Sequence, residues 1–154
     1  MSIYLVQHAQ SKSKEEDPER GLTDEGIETA KKAAEFFSGL ELNIDEIWHS
    51  GKKRAKQTAE LFAVKIKRQN AISVHENLGP TDDIEPVKRE IEKGDKGDVM
   101  IVGHLPFLSR LTSALITGNP DRDIIAFRNA AINCLEKDEE GWKVSWIVTP
   151  DIIR

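Results

Sequence analysis

The chain has 154 residues, 38% hydrophobic and 32% charged, which is enough apolar material for one self-sufficient core. Its net charge of −5 argues against general nucleic-acid binding, which needs a basic face, and no apolar run reaches the roughly 18 residues of a membrane span. The single cysteine, Cys134, has no partner for an internal disulfide, and Met1-Ser2 leads into an apolar segment rather than a signal peptide, so a cytoplasmic setting is expected.

Residues 3–7 form a continuous apolar-rich run, the pattern of a strand covered on both faces, and a polar loop follows over 11–21. Thr23 is placed to cap a helix over 23–38, whose Ile27, Ala30, Ala34 and Phe37 fall on one stripe, with Gly39 as its stop. Residues 46–49 read as a short strand, and 52–67 as a helix with Ala55, Ala59, Phe62 and Ile66 on one face. The alternation over 73–78 predicts another strand, and 83–93 a short helix turning Ile84, Val87 and Ile91 inward. Residues 98–103 are a second continuous apolar strand. Pro106 then opens a helix over 107–117, stopped at Gly118-Asn119-Pro120. Two strands, 130–136 and 142–148, close the chain around a turn at 137–141. Strands alternating with helices and ending in a hairpin predict a single-domain three-layer α/β/α sandwich, its mostly parallel sheet extended by an antiparallel edge.

Two strand endings match. Leu5-Val6-Gln7-His8 and Ile101-Val102-Gly103-His104 each carry an apolar run to a histidine, with a helix further on. In an open parallel sheet ligands bind at the carboxyl ends of the strands, so His8 and His104 are expected to converge on one crevice. Between them Ser50-Gly51-Lys52-Lys53-Arg54-Ala55-Lys56-Gln57-Thr58 lies at a strand-to-helix junction. Free N–H groups at a helix start, with the planar fork of Arg54 in its first turn, suit a phosphate. Lys52, Lys53 and Lys56 read as a solvated helix face. Of the other histidines, His49 is expected to pack on the face opposite Ser50, and His75 to be structural or solvent-facing. A metal site is disfavoured, because no third ligand stands at a recognised spacing from His8 or His104.

These blocks, together with Arg20-Gly21-Leu22-Thr23-Asp24-Glu25-Gly26 and Gly103-His104-Leu105-Pro106, resemble the histidine phosphatase superfamily of phosphoglycerate mutase-like fold. The resemblance is strongest to its short SixA-type phosphohistidine phosphatase branch. It implies that His8 is the nucleophile, transiently phosphorylated, and that His104 and Arg54 are the other pocket residues. It also brings Arg20 to the pocket rim, and requires no metal or organic cofactor. His8 would then have to be neutral at its attacking nitrogen, with the other ring nitrogen donating to a fixed acceptor such as a backbone carbonyl.

The chain departs from the family pattern at three places. Gln7-His8-Ala9 stands where the family has Arg-His-Gly, which removes a charge from the phosphate site and constrains the backbone if position 9 needs a positive φ. Gly21 replaces the proline of the family's Arg-Pro-Leu-Thr segment. The general acid of larger relatives has only Asp82 or Asp83 as counterparts, and each is also a natural cap for the following helix. Larger relatives also insert segments over the pocket for which this chain has no room. The expected partner is therefore a phosphorylated protein, phosphohistidine first, with inorganic phosphate as product. A catalytically weak phosphate-binding module and a small-molecule phosphomonoesterase are the alternatives.

Overall fold

The computed structural model describes residues 1–154. Its six strands are β1 (Ser2–Gln7), β2 (Glu46–His49), β3 (Ile72–Val74), β4 (Val99–Gly103), β5 (Ile132–Asp138) and β6 (Gly141–Val148). They make one sheet in the order β3-β2-β4-β1-β5-β6. The first four run parallel, while β5 is antiparallel to β1 and β6 to β5. The antiparallel hairpin edge is therefore where the sequence placed it.

Side-chain alternation on the two central strands assigns the layers. Tyr4 and Val6 of β1, with Met100 and Val102 of β4, face one core, while Ile3, Leu5, Val99 and Ile101 face the other. Both faces of each strand are buried, which is why these segments read as unbroken apolar runs. Helices α1 (Asp24–Gly39) and α2 (Lys53–Lys65) cover the first face through Ala30, Ala34, Phe37, Ala55, Ala59 and Phe62. Helices α3 (Glu85–Lys93) and α4 (Phe107–Thr117) cover the second through Val87, Ile91, Leu108 and Leu111. No helix is long and apolar enough to cross a membrane.

Local rules explain most boundaries. Thr23 caps α1, its Oγ1 accepting from Gly26 N at 2.9 Å, and Gly118 ends α4 in the left-handed region at φ 78°. Gly26 is also where α1 meets the loop after β1: a Cβ there would lie 2.2 Å from the Gln10 carbonyl oxygen. Four expectations are corrected. Helix α1 runs through Gly39, and Leu40 caps it by donating to Phe37 O, since a glycine with open space around it can finish a helical turn. Strand β3 stops at Val74 rather than reaching 78: His75 N makes a last bond to His49 O at 2.9 Å, and the chain then turns at Glu76-Asn77, with Asn77 at φ 65°. Ile84, not Asp82 or Asp83, occupies the N-cap of α3. The hairpin turn is only Glu139-Glu140, because Asp138 still pairs with Gly141. Cys134 is fully buried, and burial pushes its thiol up to about 12, which leaves it inert.

Candidate active site

Adjacency of β1 and β4 builds the centre of the site. Gln7 is in register with Gly103, and His8 N donates to Gly103 O at 3.0 Å. The two following histidines therefore leave the sheet side by side, with ring centroids 5.2 Å apart and planes at 53°. Strand β2 lies on the other side of β4 and delivers Ser50 to the same edge, where its Oγ is 2.6 Å from His104 Nε2. The convergence predicted from the two matched strand endings is present.

The tautomer of His8 follows from its neighbour. Its Nδ1 lies 2.7 Å from the carbonyl oxygen of Ala9, an oxygen that can only accept, so Nδ1 carries the proton and Nε2 keeps a lone pair. That carbonyl is held in place. Ala9 N donates to Thr58 Oγ1 at 3.0 Å, and the buried Thr58 hydroxyl donates to Arg54 O at 2.9 Å, tying the histidine loop to the first turn of α2. On the other side, Asn129 Nδ2 donates to His8 O at 2.8 Å. Burial lowers the pKa of His8 below its ordinary value, the Ala9 hydrogen bond opposes this, and Arg54 and Arg20 add to the lowering. The imidazole is neutral at pH 7. Ala9 is not at positive φ, so alanine costs the backbone nothing there.

His104 is 2% exposed, and its pKa is pushed down to about 3, first by burial and then by Arg54, His8, Lys52 and Arg20. Its Nδ1 is buried without a hydrogen-bond partner. Arg54 is the second residue of α2, a helix whose N-cap Lys52 supplies no side-chain cap and whose first turn holds no acid. Its Nε is likewise buried and unpartnered, and burial followed by Arg20 disfavours its charge. Buried polar atoms without partners are rare in native proteins. In this chain five side-chain atoms qualify, and three of them (Gln7 Oε1, Arg54 Nε and His104 Nδ1) belong to residues singled out for the site.

Arg20 sits at φ 53° and is fastened to its own loop, its Nε donating to Lys12 O and its Nη2 to Ser11 Oγ, both at 3.1 Å. Together with Arg54 it lines a cleft of about 900 Å3 that has no hydrophobic wall. Neither imidazole is part of that wall. Arg20 and Arg54, whose charges act on both rings, join the cleft to them.

Asp82 and Asp83 do not line this cleft and are bonded within their own loop. Asp82 Oδ2 accepts from Gly79 N at 2.8 Å and Asp83 Oδ1 from Glu85 N at 3.1 Å, while the cleft takes Pro80 and Thr81 from their loop. Lys52, Lys53 and Lys56 line the cleft, and Lys52 and Lys56 are exposed, as the reading of a solvated helix face expects. His49 is buried and its Nδ1 accepts from Gly51 N at 3.0 Å, while His75 Nε2 pairs with Glu90 at 2.7 Å. No three His, Cys, Asp or Glu side chains gather at distances suited to a metal ion. Asn129 and Lys14 carried no signal in the sequence, and Thr58 carried one only as part of the Ser50–Thr58 block, without a role. Ser50 carried one, as a residue directly after a strand that ends at the same sheet edge.

The description of the histidine phosphatase superfamily (branch 1) matches residues 3–79, half of the chain. The phosphohistidine phosphatase SixA of Escherichia coli (strain K12) is 23% identical over 155 residues, spanning 97% of this chain and 94% of its own. The solved structure of the protein histidine phosphatase SixA complexed with tungstate superposes at a TM-score of 0.87 with 22% identity over 100% of both chains. The alpha-ribazole phosphatase from Shigella flexneri superposes at 0.75 with 14% identity over 97% of both. At such identities the superpositions establish the phosphoglycerate mutase-like fold. With the matched half of the chain and a curated relative of nearly equal length beside them, the chain belongs to the histidine phosphatase superfamily, branch 1, and is a phosphatase of SixA-like type.

Proposed function

We propose that this phosphatase removes the phosphoryl group from phosphohistidine on a protein, through a phosphorylated His8. One observation carries the reading. The buried, unpartnered His104 Nδ1 belongs to a ring 5.2 Å from His8, whose Nε2 lone pair is free, and the buried, unpartnered Arg54 Nε belongs to a guanidinium whose charge acts on both rings. The Ser50 hydroxyl can either donate to or accept from His104 Nε2; in the tautomer where it donates, Nδ1 of that ring carries the proton and becomes a second donor.

In the first step His8 Nε2 attacks phosphorus in line, and the new N–P bond forms as the substrate's N–P bond breaks. A substrate imidazole protonated on its distal nitrogen departs as neutral imidazole, so no carboxylic acid is needed at the cleavage point. This agrees with Asp82 and Asp83 being engaged within their own loop. In the second step water attacks the phosphoryl group, the bond to Nε2 breaks and returns its electron pair to His8, and the water's proton leaves with inorganic phosphate. Arg54 and His104 donate to the equatorial oxygens, where charge builds in both steps; each charge-assisted hydrogen bond contributes about 1.5–3 kcal/mol. The Ala9 carbonyl stabilises the phosphorylated ring by holding its Nδ1–H.

The cleft lined by Arg20 and Arg54, without a hydrophobic wall, suits a phosphorylated side chain on a protein surface, whereas a small metabolite would gain little burial there. A second reading, a weak phosphoprotein-binding module, is favoured by Gln7. Its buried Oε1 can only accept, where a guanidinium would donate to the phosphate. The two are separated by brief mixing with a histidine-phosphorylated protein, an alkaline quench and intact-mass analysis. The hydrolase reading requires a phosphoryl increment on this chain that is absent in His8→Ala, together with phosphate release. Binding without label or release would establish the second reading instead.

A further inference from the structure

Charge is distributed unevenly over this molecule. The chain carries a net −5, yet six of the eleven residues lining the cleft are lysine or arginine and one is acidic. Arg20 and Arg54 join the cleft to the reaction centre, and Lys14, Lys52, Lys53 and Lys56 complete its wall. Lys53 is partly neutralised, lying 3.4 Å from Asp17 Oδ2 and 3.5 Å from Glu19 Oε2, the one carboxylate of the wall. Lys14, Lys52 and Lys56 are exposed and form no ion pair anywhere in the chain. A cluster of unpaired lysines beside an anion site raises the local potential and attracts a partner of opposite sign.

Resting on the phosphohistidine reading above, we infer that Lys14, Lys52 and Lys56 form a docking collar for an acidic, carboxylate-rich surface surrounding the phosphorylated residue of the partner protein. The wall contains no hydrophobic residue, so the occupant gains affinity from charge pairing rather than apolar burial. The cleft is also far larger than one phosphoryl group, at about 900 Å3, so it receives what flanks that group. Charged collars of this kind act mainly on encounter and partner choice, and are weakened by salt.

The test uses peptides carrying a non-hydrolysable phosphohistidine analogue flanked on each side by two Glu, two Ser or two Lys. The net charge of the whole chain, acting alone, would favour the Lys-flanked peptide, so the order of affinities separates a local collar from the global field. The Glu-flanked peptide is expected to bind about tenfold more tightly than the Ser-flanked one at low salt, the sum of three exposed pairs. That ratio should fall towards unity at about 0.5 M salt. In K14E/K56E the Glu-flanked preference should vanish or reverse. Equal affinities, or a Lys-flanked preference in the native chain, would overturn the collar. So would tripolyphosphate competing better than the Glu-flanked peptide, which would mark a polyphosphate ligand instead. Turnover of phosphorylated imidazole is measured alongside. Its absence would sink the hydrolase reading, while the order of peptide affinities would still decide the collar.

Discussion

Replacing Arg54 by methionine should make the protein more stable and nearly inactive. The guanidinium carries a buried Nε without a partner, an arrangement that costs about 1–3 kcal/mol. It also stands in the first turn of α2, which has no acid, where the positive end of the helix opposes a cation by about 0.3–1 kcal/mol. Methionine keeps much of the apolar stem and removes both penalties. Allowing for lost stem contacts, R54M should gain about 1–2 kcal/mol, or about 3–6 °C in Tm for a domain of this size. The native chain should be stabilised by tungstate or phosphate, by about 2.7 kcal/mol at a hundred times the Kd, and R54M should not. Turnover on a phosphohistidine substrate should fall about 10²–10³-fold, the range found when one preorganised donor is removed. Thermal denaturation with and without oxyanion, run beside the hydrolysis assay, reads all three. An R54M protein less stable than the native chain in oxyanion-free buffer, or one still stabilised by tungstate, would refute the reasoning.

His8→Ala should abolish turnover and the phosphoryl increment while leaving the circular dichroism spectrum unchanged; residual turnover would remove His8 from the nucleophile's role. Gln7→Arg should tighten inhibition by phosphate or vanadate about 10–100-fold, the effect of one added charge-assisted donor, and an unchanged inhibition constant would show that Gln7 does not face the anion. The acid limb of kcat/KM should lie below pH 6.5, because the lowered pKa of His8 keeps Nε2 free to attack in mild acid; a limb at or above pH 7 would contradict the assigned environment. Unfolding stability should fall as pH drops from about 6.5 towards 3, because His104, held down to about 3 when folded, takes up a proton earlier in the unfolded chain. Denaturant titrations at fixed pH steps check the sign, and flat stability over that range would refute it.

What could be read in advance depended on the range of the interaction involved. The two apolar runs ending in His8 and His104 were legible because central parallel strands are apolar on both faces, and because the carboxyl ends of adjacent strands share one edge. Arg54 was legible as a cation in a first helical turn. The Thr58 bridge was not, because it depends on a hydroxyl on the inner face of α2 meeting the Ala9 amide across the layer between helix and sheet. Asn129 was hidden for a similar reason: its place beside His8 comes from an isolated bridge to Gln7, which no periodicity announces. Strand β3 was over-extended because the alternation of 73–78 continues in the side chains after the backbone has left the sheet. His75 N still donates to His49 O, and the chain turns away only at Glu76-Asn77, where Asn77 takes φ 65°. That Lys52, Lys53 and Lys56 border a cleft was not legible, because charge on a helix surface looks the same in sequence whether it faces open solvent or lines a cleft.

Two departures from the superfamily pattern now separate in kind. At Gly21 the structure has used the change. Its N–H donates to Asp17 Oδ2 at 2.9 Å, a bond proline cannot make. A Cβ there would lie 2.9 Å from Lys53 Cε and 3.2 Å from Gln57 Oε1, the atom that accepts from Leu22 N. Restoring proline would break this packing. At Gln7, Oε1 is a buried acceptor without a hydrogen-bond partner. Arg54, His104 and Gln7, the last immediately before His8, each keep a buried atom without a partner, which is the pattern expected where stability has been given up for a ligand. If His8, Arg54 and His104 hold an oxyanion as proposed, the Gln7 amide is the first place to look for what distinguishes this chain from the superfamily pattern with arginine there.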